Sequence, residues 1–566
     1  MRLLSWILLC CASSVSAQQL LPPSELRDTV AHYTLDRDAL LRRYHVEYSP
    51  IRRQRLRAHY DAWERRLEAM DFDRLGVEGR IDWILLRNDL RRDRALLDLE
   101  EKRARETEAL VPFANTVIDL MESRRRLETL VPSAASHRLA ALARQTDSLR
   151  RLIEPPARPD TSRAARIVAL RSIRLVESLV RTLDQWYRFY AGYDPTFTWW
   201  TADPYKRADD AMKQYARALR RHVLGQREGD EEPILGDPIG AEALRAELAF
   251  EFIPYTPEEL IAIAEREYAW SEAEMKRAAR DLGFGDDWKR ALEHVKNTFV
   301  DPGRQPDLVR DLALEAIEWV ESRGLVSVPP LAKEIWRMEM LSPEQQRVSP
   351  FFLGGEVIRV SYPTDGMTEE EKLMSLRGNN PHFSRATVHH ELIPGHHLQG
   401  FMAQRYNSHR REFSTPFLGE GWALWWEFLL WDLGFPRGPE DRVGMLYWRM
   451  HRSARIVFSL NFHLGRMTAQ EAIDYLVDRV GHERANATAE VRRSFNGDYP
   501  PLYQIAYMVG ALQLRALHRE LVASGQMTVR EFHDAVLQSG SIPVELIRAR
   551  LTGRLLPRDF RAEWRF

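Results

Sequence analysis

Cysteine is nearly missing from this chain of 566 residues: Cys10 and Cys11 stand side by side near the start, and none follows. Both lie in a stretch that reads as a removable leader. Arg2 precedes the apolar residues Leu3, Leu4 and Trp6 to Cys11, and small residues follow, ending in Val15-Ser16-Ala17. That is the order of a secretory signal peptide, so residues 1–17 are expected to be cleaved near Ala17, leaving a periplasmic or secreted protein that begins at Gln18. Such a mature chain contains no disulfide, although its compartment would permit one. Leu9 precedes Cys10 and Cys10 precedes Cys11, whereas a lipoprotein signal wants a small residue before its cysteine, so no lipid anchor is expected.

Lysine is also scarce. Only eight of the 81 basic residues are lysine; the rest are arginines interspersed with 82 acidic residues, and the formal net charge is −1. No basic face is concentrated enough to suggest nucleic acid as a partner. No apolar run approaches the roughly 20 residues that span a bilayer, which argues against stable membrane insertion, and no internal repeat is visible. Strand signals are sparse, the best being Val357-Ile-Arg-Val-Ser-Tyr362 within Phe351 to Pro363.

What is present is helical periodicity. Leu56, Tyr60, Trp63, Leu67 and Met70 recur at steps of four and three with charge between them, as in a helix with one buried stripe. Thr256-Pro-Glu-Glu259 has a capping residue, a first-turn proline and a glutamate at the capping-box position, with Ile261, Ala264, Tyr268 and Trp270 as its expected buried side. Similar patterns cover Ile81 to Lys102, Asp209 to Leu224 and Asp307 to Ser322. Turn-rich breaks at Glu154–Asp160, Gly225–Gly240 and Asp301–Pro306 punctuate helices rather than divide domains. The expected fold is mainly α. A single domain over 18–566 would have a helical half to about residue 340, a second half from about 341, and a small sheet near Phe351.

Chemistry concentrates in His389-His-Glu-Leu-Ile-Pro-Gly-His-His-Leu-Gln399. Two histidines four apart on one helix lie about one turn from each other and can share a zinc ion, but Pro394 holds the place where the second would stand. In an unbroken helix His397 would be roughly 10 Å from His390, too far for one ion. Pro394 cannot donate a backbone bond to His390, and Gly395 tolerates unusual conformations, so the helix should deform there. If those two residues bulge out, His396 takes the place of the second ligand beside His390. His397 remains its rival, and His389 reads as structural. Glu391 stands where a proton acceptor would. Glu420, 24 residues after His396 in Gly419-Glu-Gly-Trp-Ala-Leu-Trp-Trp-Glu427, is the candidate third ligand, on a helix returning antiparallel to the first; Glu427 reads as a supporting carboxylate.

His390–Gln399, Glu420–Leu424 and Gln504-Ile-Ala-Tyr507-Met-Val-Gly510 together resemble the signatures of a bacterial family known as domain of unknown function 885. More widely the chain resembles helical zinc peptidases of the angiotensin-converting-enzyme and thimet-oligopeptidase type. The resemblance implies a large helical fold around a deep cleft, one Zn2+ held by His390, His396 and Glu420, and short peptides as substrates. It also implies Glu391 as general base and Tyr507 as oxyanion donor, with His463 as the second choice for that role. Arg452 to His463 resembles a family segment that usually has aspartate and glycine where this chain has Ser459 and Asn461, so no role is carried to those positions. Arg455 or Arg515 would suit a peptide carboxylate, because guanidinium binds carboxylates in two-pronged fashion. A zinc hydrolase of a non-peptide amide or ester, or a non-catalytic binding protein, stand as the alternatives.

Overall fold

The computed structural model describes residues 23–230, 232–346, 351–497 and 499–566; the leader expected over residues 1–17 lies outside them. The fold is mainly α, and among the described residues there is one sheet, of two short parallel strands, β1 (Arg337–Met340) and β2 (Val357–Val360), in register Arg337 to Val357 through Met340 to Val360. Among the described residues no helix is long and apolar enough to cross a membrane.

Local signals account for the helices. Ser49 accepts from the Arg52 amide at the start of Pro50–Glu68, and Leu56, Tyr60, Trp63 and Leu67 are buried along it, while Met70 falls just past its end. The Thr256–Glu259 capping box forms at the head of Pro257–Asp281. The buried side there is Leu260, Ile263, Ala264 and Tyr268; Ile261 is half-buried, and Trp270 is exposed beneath the Arg449 guanidinium, 3.9 Å from its ring centre. A one-residue drift of the stripe explains the difference, since 3.6 residues per turn carries position 270 off the face that buries 260, 264 and 268.

Several apolar cores form. The first joins Leu26–Leu97 to the segments around Phe417–Leu430, Ile505–Leu517 and Phe532–Leu556. The second is built by helices between Val111 and Leu224, where Ile173, Val176, Leu179, Leu183 and Trp186 line one side of Arg163–Tyr190. Each such side chain removed from water contributes about 1.5–3 kcal/mol.

Helix Pro416–Asp432 packs on Tyr503–His518 with no side chain between them at one point: a Cβ on Gly510 would stand 1.8 Å from the Phe417 carbonyl oxygen, and one on Gly421 would stand 2.6 Å from Gly510. Only glycine allows backbones that close. Helix Pro439–His463 packs across Pro381–Glu391 and Pro257–Asp281. Strand β2 lies against the same Pro381–Glu391 helix, Ile358 and Val360 meeting Val388 and Leu392. These contacts converge on the histidine segment.

Candidate metal centre

The helix begun at Pro381 stops at Glu391, and a second, His396–Ala403, starts after a four-residue break. The break replaces the lost ladder with other bonds: the Gly395 amide donates to His389 at 3.0 Å, and the His397 amide to Leu392 at 3.0 Å. Gly395 is required by space, since a Cβ there would stand 1.9 Å from the His390 carbonyl oxygen. Two bonds tie the break to the next helix, Trp422 Nε1 to the Pro394 carbonyl at 2.9 Å and Gln399 Nε2 to the Leu418 carbonyl at 3.0 Å.

This arrangement gathers three donors. Glu420 Oε2 is 3.1 Å from His396 Nε2 and 3.6 Å from His390 Nε2, and one ligand atom of each residue lies within 4.8 Å of the others. Tetrahedral zinc with ligands at 2.0–2.1 Å needs donor atoms about 3.3 Å apart, which both Glu420 separations approach, and the His-His-Glu donor set fits zinc. Two of the remaining atoms are engaged elsewhere. His390 Nδ1 is 2.7 Å from Glu427 Oε1, which fixes Nε2 as the free donor, and Tyr503 Oη donates to the other oxygen of Glu420. Burial works against protonating His390, but Glu420 and Glu427 outweigh it and hold the imidazole up to about 9. Burial would likewise lift the Glu420 carboxyl, and the two imidazoles overcome it and hold it well below the usual range. The cradle therefore favours a positive charge.

Glu391 sits beside the triad with its carboxyl pushed up by burial, and Gly354 presses on it so closely that a Cβ would stand 2.2 Å from Oε2. Tyr507 stacks on His390 with ring centres 6.2 Å apart. All six residues border a cavity of about 380 Å³, with Arg452, Arg455 and Arg493 on the same wall set. Arg455 Nε donates to Glu490 Oε1 at 2.7 Å, and Arg493 pairs with the other oxygen of that carboxylate.

Other expected residues lie apart. His397 donates from Nε2 to the Ala332 carbonyl at 2.7 Å, facing away from the triad, because it follows His396 by about 100° around the helix. His389 is buried edge-on to Phe435, and burial holds its imidazole down to about 3. His463 does not border the cavity. It stands eight residues beyond Arg455, about 12 Å along the helix, and burial lowers its pKa to about 4. Arg515 misses the cavity for the same reason, eight residues beyond Tyr507 on its own helix. Tyr503, Arg493 and Glu490 went unremarked in the sequence. Tyr503 alone had a signal, preceding Tyr507 by one turn.

No curated protein matches the chain. A solved structure described as "a putative lipoprotein of unknown function from Shewanella oneidensis" is similar at TM-score 0.67 and 17% identity, over 93% of this chain and 99% of the other. Another, "the putative lipoprotein from Colwellia psychrerythraea", is similar at TM-score 0.57 and 14% identity, over 93% and 97%. At those identities the likeness is one of fold. The family model described as "Bacterial protein of unknown function (DUF885)" matches residues 37–551, and the chain belongs to that family.

Proposed function

We propose that this protein is a zinc-dependent hydrolase of short peptides, acting outside the cytoplasm. The observation that carries this reading is the convergence of His390, His396 and Glu420 donors within 4.8 Å on a cavity that also holds Glu391. Zinc supplies Lewis acidity when bound, polarising a carbonyl and lowering the pKa of water. Glu391, in a site that raises its proton affinity, takes the proton from the attacking water and returns it to the leaving amine. The water oxygen bonds the carbonyl carbon as the carbon–nitrogen bond breaks. Tyr507 donates its hydroxyl proton in a hydrogen bond to the carbonyl oxygen as charge builds there. Glu427 orients His390, and Tyr503 orients Glu420.

The order of residues 1–17 supports a periplasmic or secreted place, as do the lipoprotein descriptions of the two similar structures. The test pairs metal with turnover. Glu391→Gln is expected to keep one zinc per chain by elemental analysis and to lose hydrolysis of a peptide mixture. His396→Ala should lose the metal and His397→Ala keep it. Unchanged turnover in the first rules the mechanism out, and the reverse metal pattern in the pair overturns the choice of His396 as ligand.

A further inference from the structure

Three arginines, Arg452, Arg455 and Arg493, border the cavity. Glu490, buried, accepts from Arg455 Nε with one oxygen and pairs with Arg493 through the other, so one carboxylate serves two guanidinium groups. Arg452 has Glu427 at 3.6 Å, a carboxylate already engaged by His390 Nδ1 at 2.7 Å. Arg455 Nη1, Arg493 Nε and Arg452 Nε are buried without a hydrogen-bond partner. Two guanidinium groups that share one buried carboxylate leave a surplus positive charge beside the cavity both border, and an anion there would offset it.

Their position relative to the triad limits what that anion can be. The guanidinium carbons of Arg455 and Arg452 stand 4.4 Å and 4.5 Å from the centre of the Tyr507 ring, which is itself 6.2 Å from the His390 ring. The Arg455 guanidinium is therefore no more than about 11 Å from His390, a span that extended chain covers in about three residues at 3.3–3.6 Å each. Resting on the hydrolytic reading above, we propose that Arg455 and Arg493, neutralised in part by Glu490, bind the carboxy-terminal carboxylate of a short peptide and place the scissile bond one to three residues from that end. The enzyme is thus a carboxy-terminal exopeptidase. Tyr499, stacked on Tyr503 and bordering the same space, supplies an apolar wall for the terminal side chain.

The test separates this assignment from the reading it rests on. Zinc-loaded Glu391→Gln protein is titrated calorimetrically with acetyl-trialanine, its C-terminal amide, and acetyl-Ala-Ala-Glu amide. The free acid should bind at least tenfold more tightly than either amide. Arg455→Gln, which leaves Glu490 paired with Arg493, and Arg493→Gln, which leaves it paired with Arg455, should each narrow that preference to under threefold. With wild-type enzyme, free-acid peptides of five to eight residues should release fragments of one to three residues from the carboxyl end. Equal affinity for acid and amide overturns the assignment while leaving zinc hydrolysis standing. Recovery of tight binding by the glutamyl amide overturns it in favour of an acidic side chain. A strong acid preference in a protein that holds no zinc would instead sink the hydrolytic reading and keep the carboxylate site.

Discussion

Gly395→Ala and Gly400→Ala, five residues apart, should have opposite effects. At position 395 a methyl carbon would start 1.9 Å from the His390 carbonyl oxygen and 2.6 Å from that of His389, both backbone atoms, whereas real Cβ contacts essentially never fall under 3.0 Å. The chain on one side of the break must therefore move by at least about 1.1 Å, and metal ligation tolerates only about 0.2 Å. Since His390 and His396 sit on opposite sides of the break, the displacement falls on the ligand pair itself. Overpacking of this kind costs about 1–3 kcal/mol. At position 400 nothing lies within 4 Å of the added carbon, and the residue is exposed within His396–Ala403, so alanine should stabilise the helix by about 0.5–1 kcal/mol. Zinc per chain and thermal midpoint, measured on both variants, decide the matter. Gly395→Ala should fall well below one zinc with a lowered midpoint, and Gly400→Ala should keep full metal with an equal or higher one. Full zinc and an unchanged midpoint in Gly395→Ala would refute the claim that the kink builds the site.

The two tyrosines should separate by assay. Tyr503→Phe, which removes the donor to Glu420, is expected to weaken zinc affinity about tenfold, the low end for groups that orient ligands, while Tyr507→Phe lowers kcat with metal affinity unchanged. A chelator competition series with matched kinetics checks both, and identical behaviour of the two variants would contradict the assignment. Glu427→Gln should cost about 10–100-fold in zinc affinity through His390, read in the same competition. Far from the site, burial and then repulsion from Asp93 push the Asp89 carboxyl up to about 7. The unfolded chain ionises it near pH 4, so the stability from holding it protonated is present below that pH and is lost as pH rises through about 7. Asp89→Asn, which keeps an acceptor for the Tyr33 hydroxyl at 2.8 Å, should therefore raise the thermal midpoint more at pH 8 than at pH 4.5. Equal shifts at both would exclude that titration.

The helices were legible because their signals are local. The Thr256 cap, the stripe from Leu56 to Leu67 and the β-branched run at Val357 each act within a few residues. The kink was legible for the same reason, since proline lacks an amide hydrogen and the sequence places it where a ladder bond would form. Tyr503 meets Glu420 across 83 residues and Gln399 meets Leu418 only after two helices have turned back on each other, contacts that no periodicity encodes. His463 and Arg515 stand off the cavity because identity of residue says what a side chain can do, while reach depends on how far along its helix it stands. Glu490 stands in no sequence motif among 82 acidic residues, and only packing reveals it as a buried counter-ion.

The bare crossing at Gly421 and Gly510 has a consequence for how this centre could be retuned. One of these helices carries Glu420, and the other carries Tyr503 and Tyr507. With main chain resting on main chain there is no cushion of rotamers to absorb a tilt, so an alteration in the distant carboxy-terminal core would be transmitted to the carboxylate and both phenols together. Variation that spares every residue around the cavity can still change its chemistry through that joint.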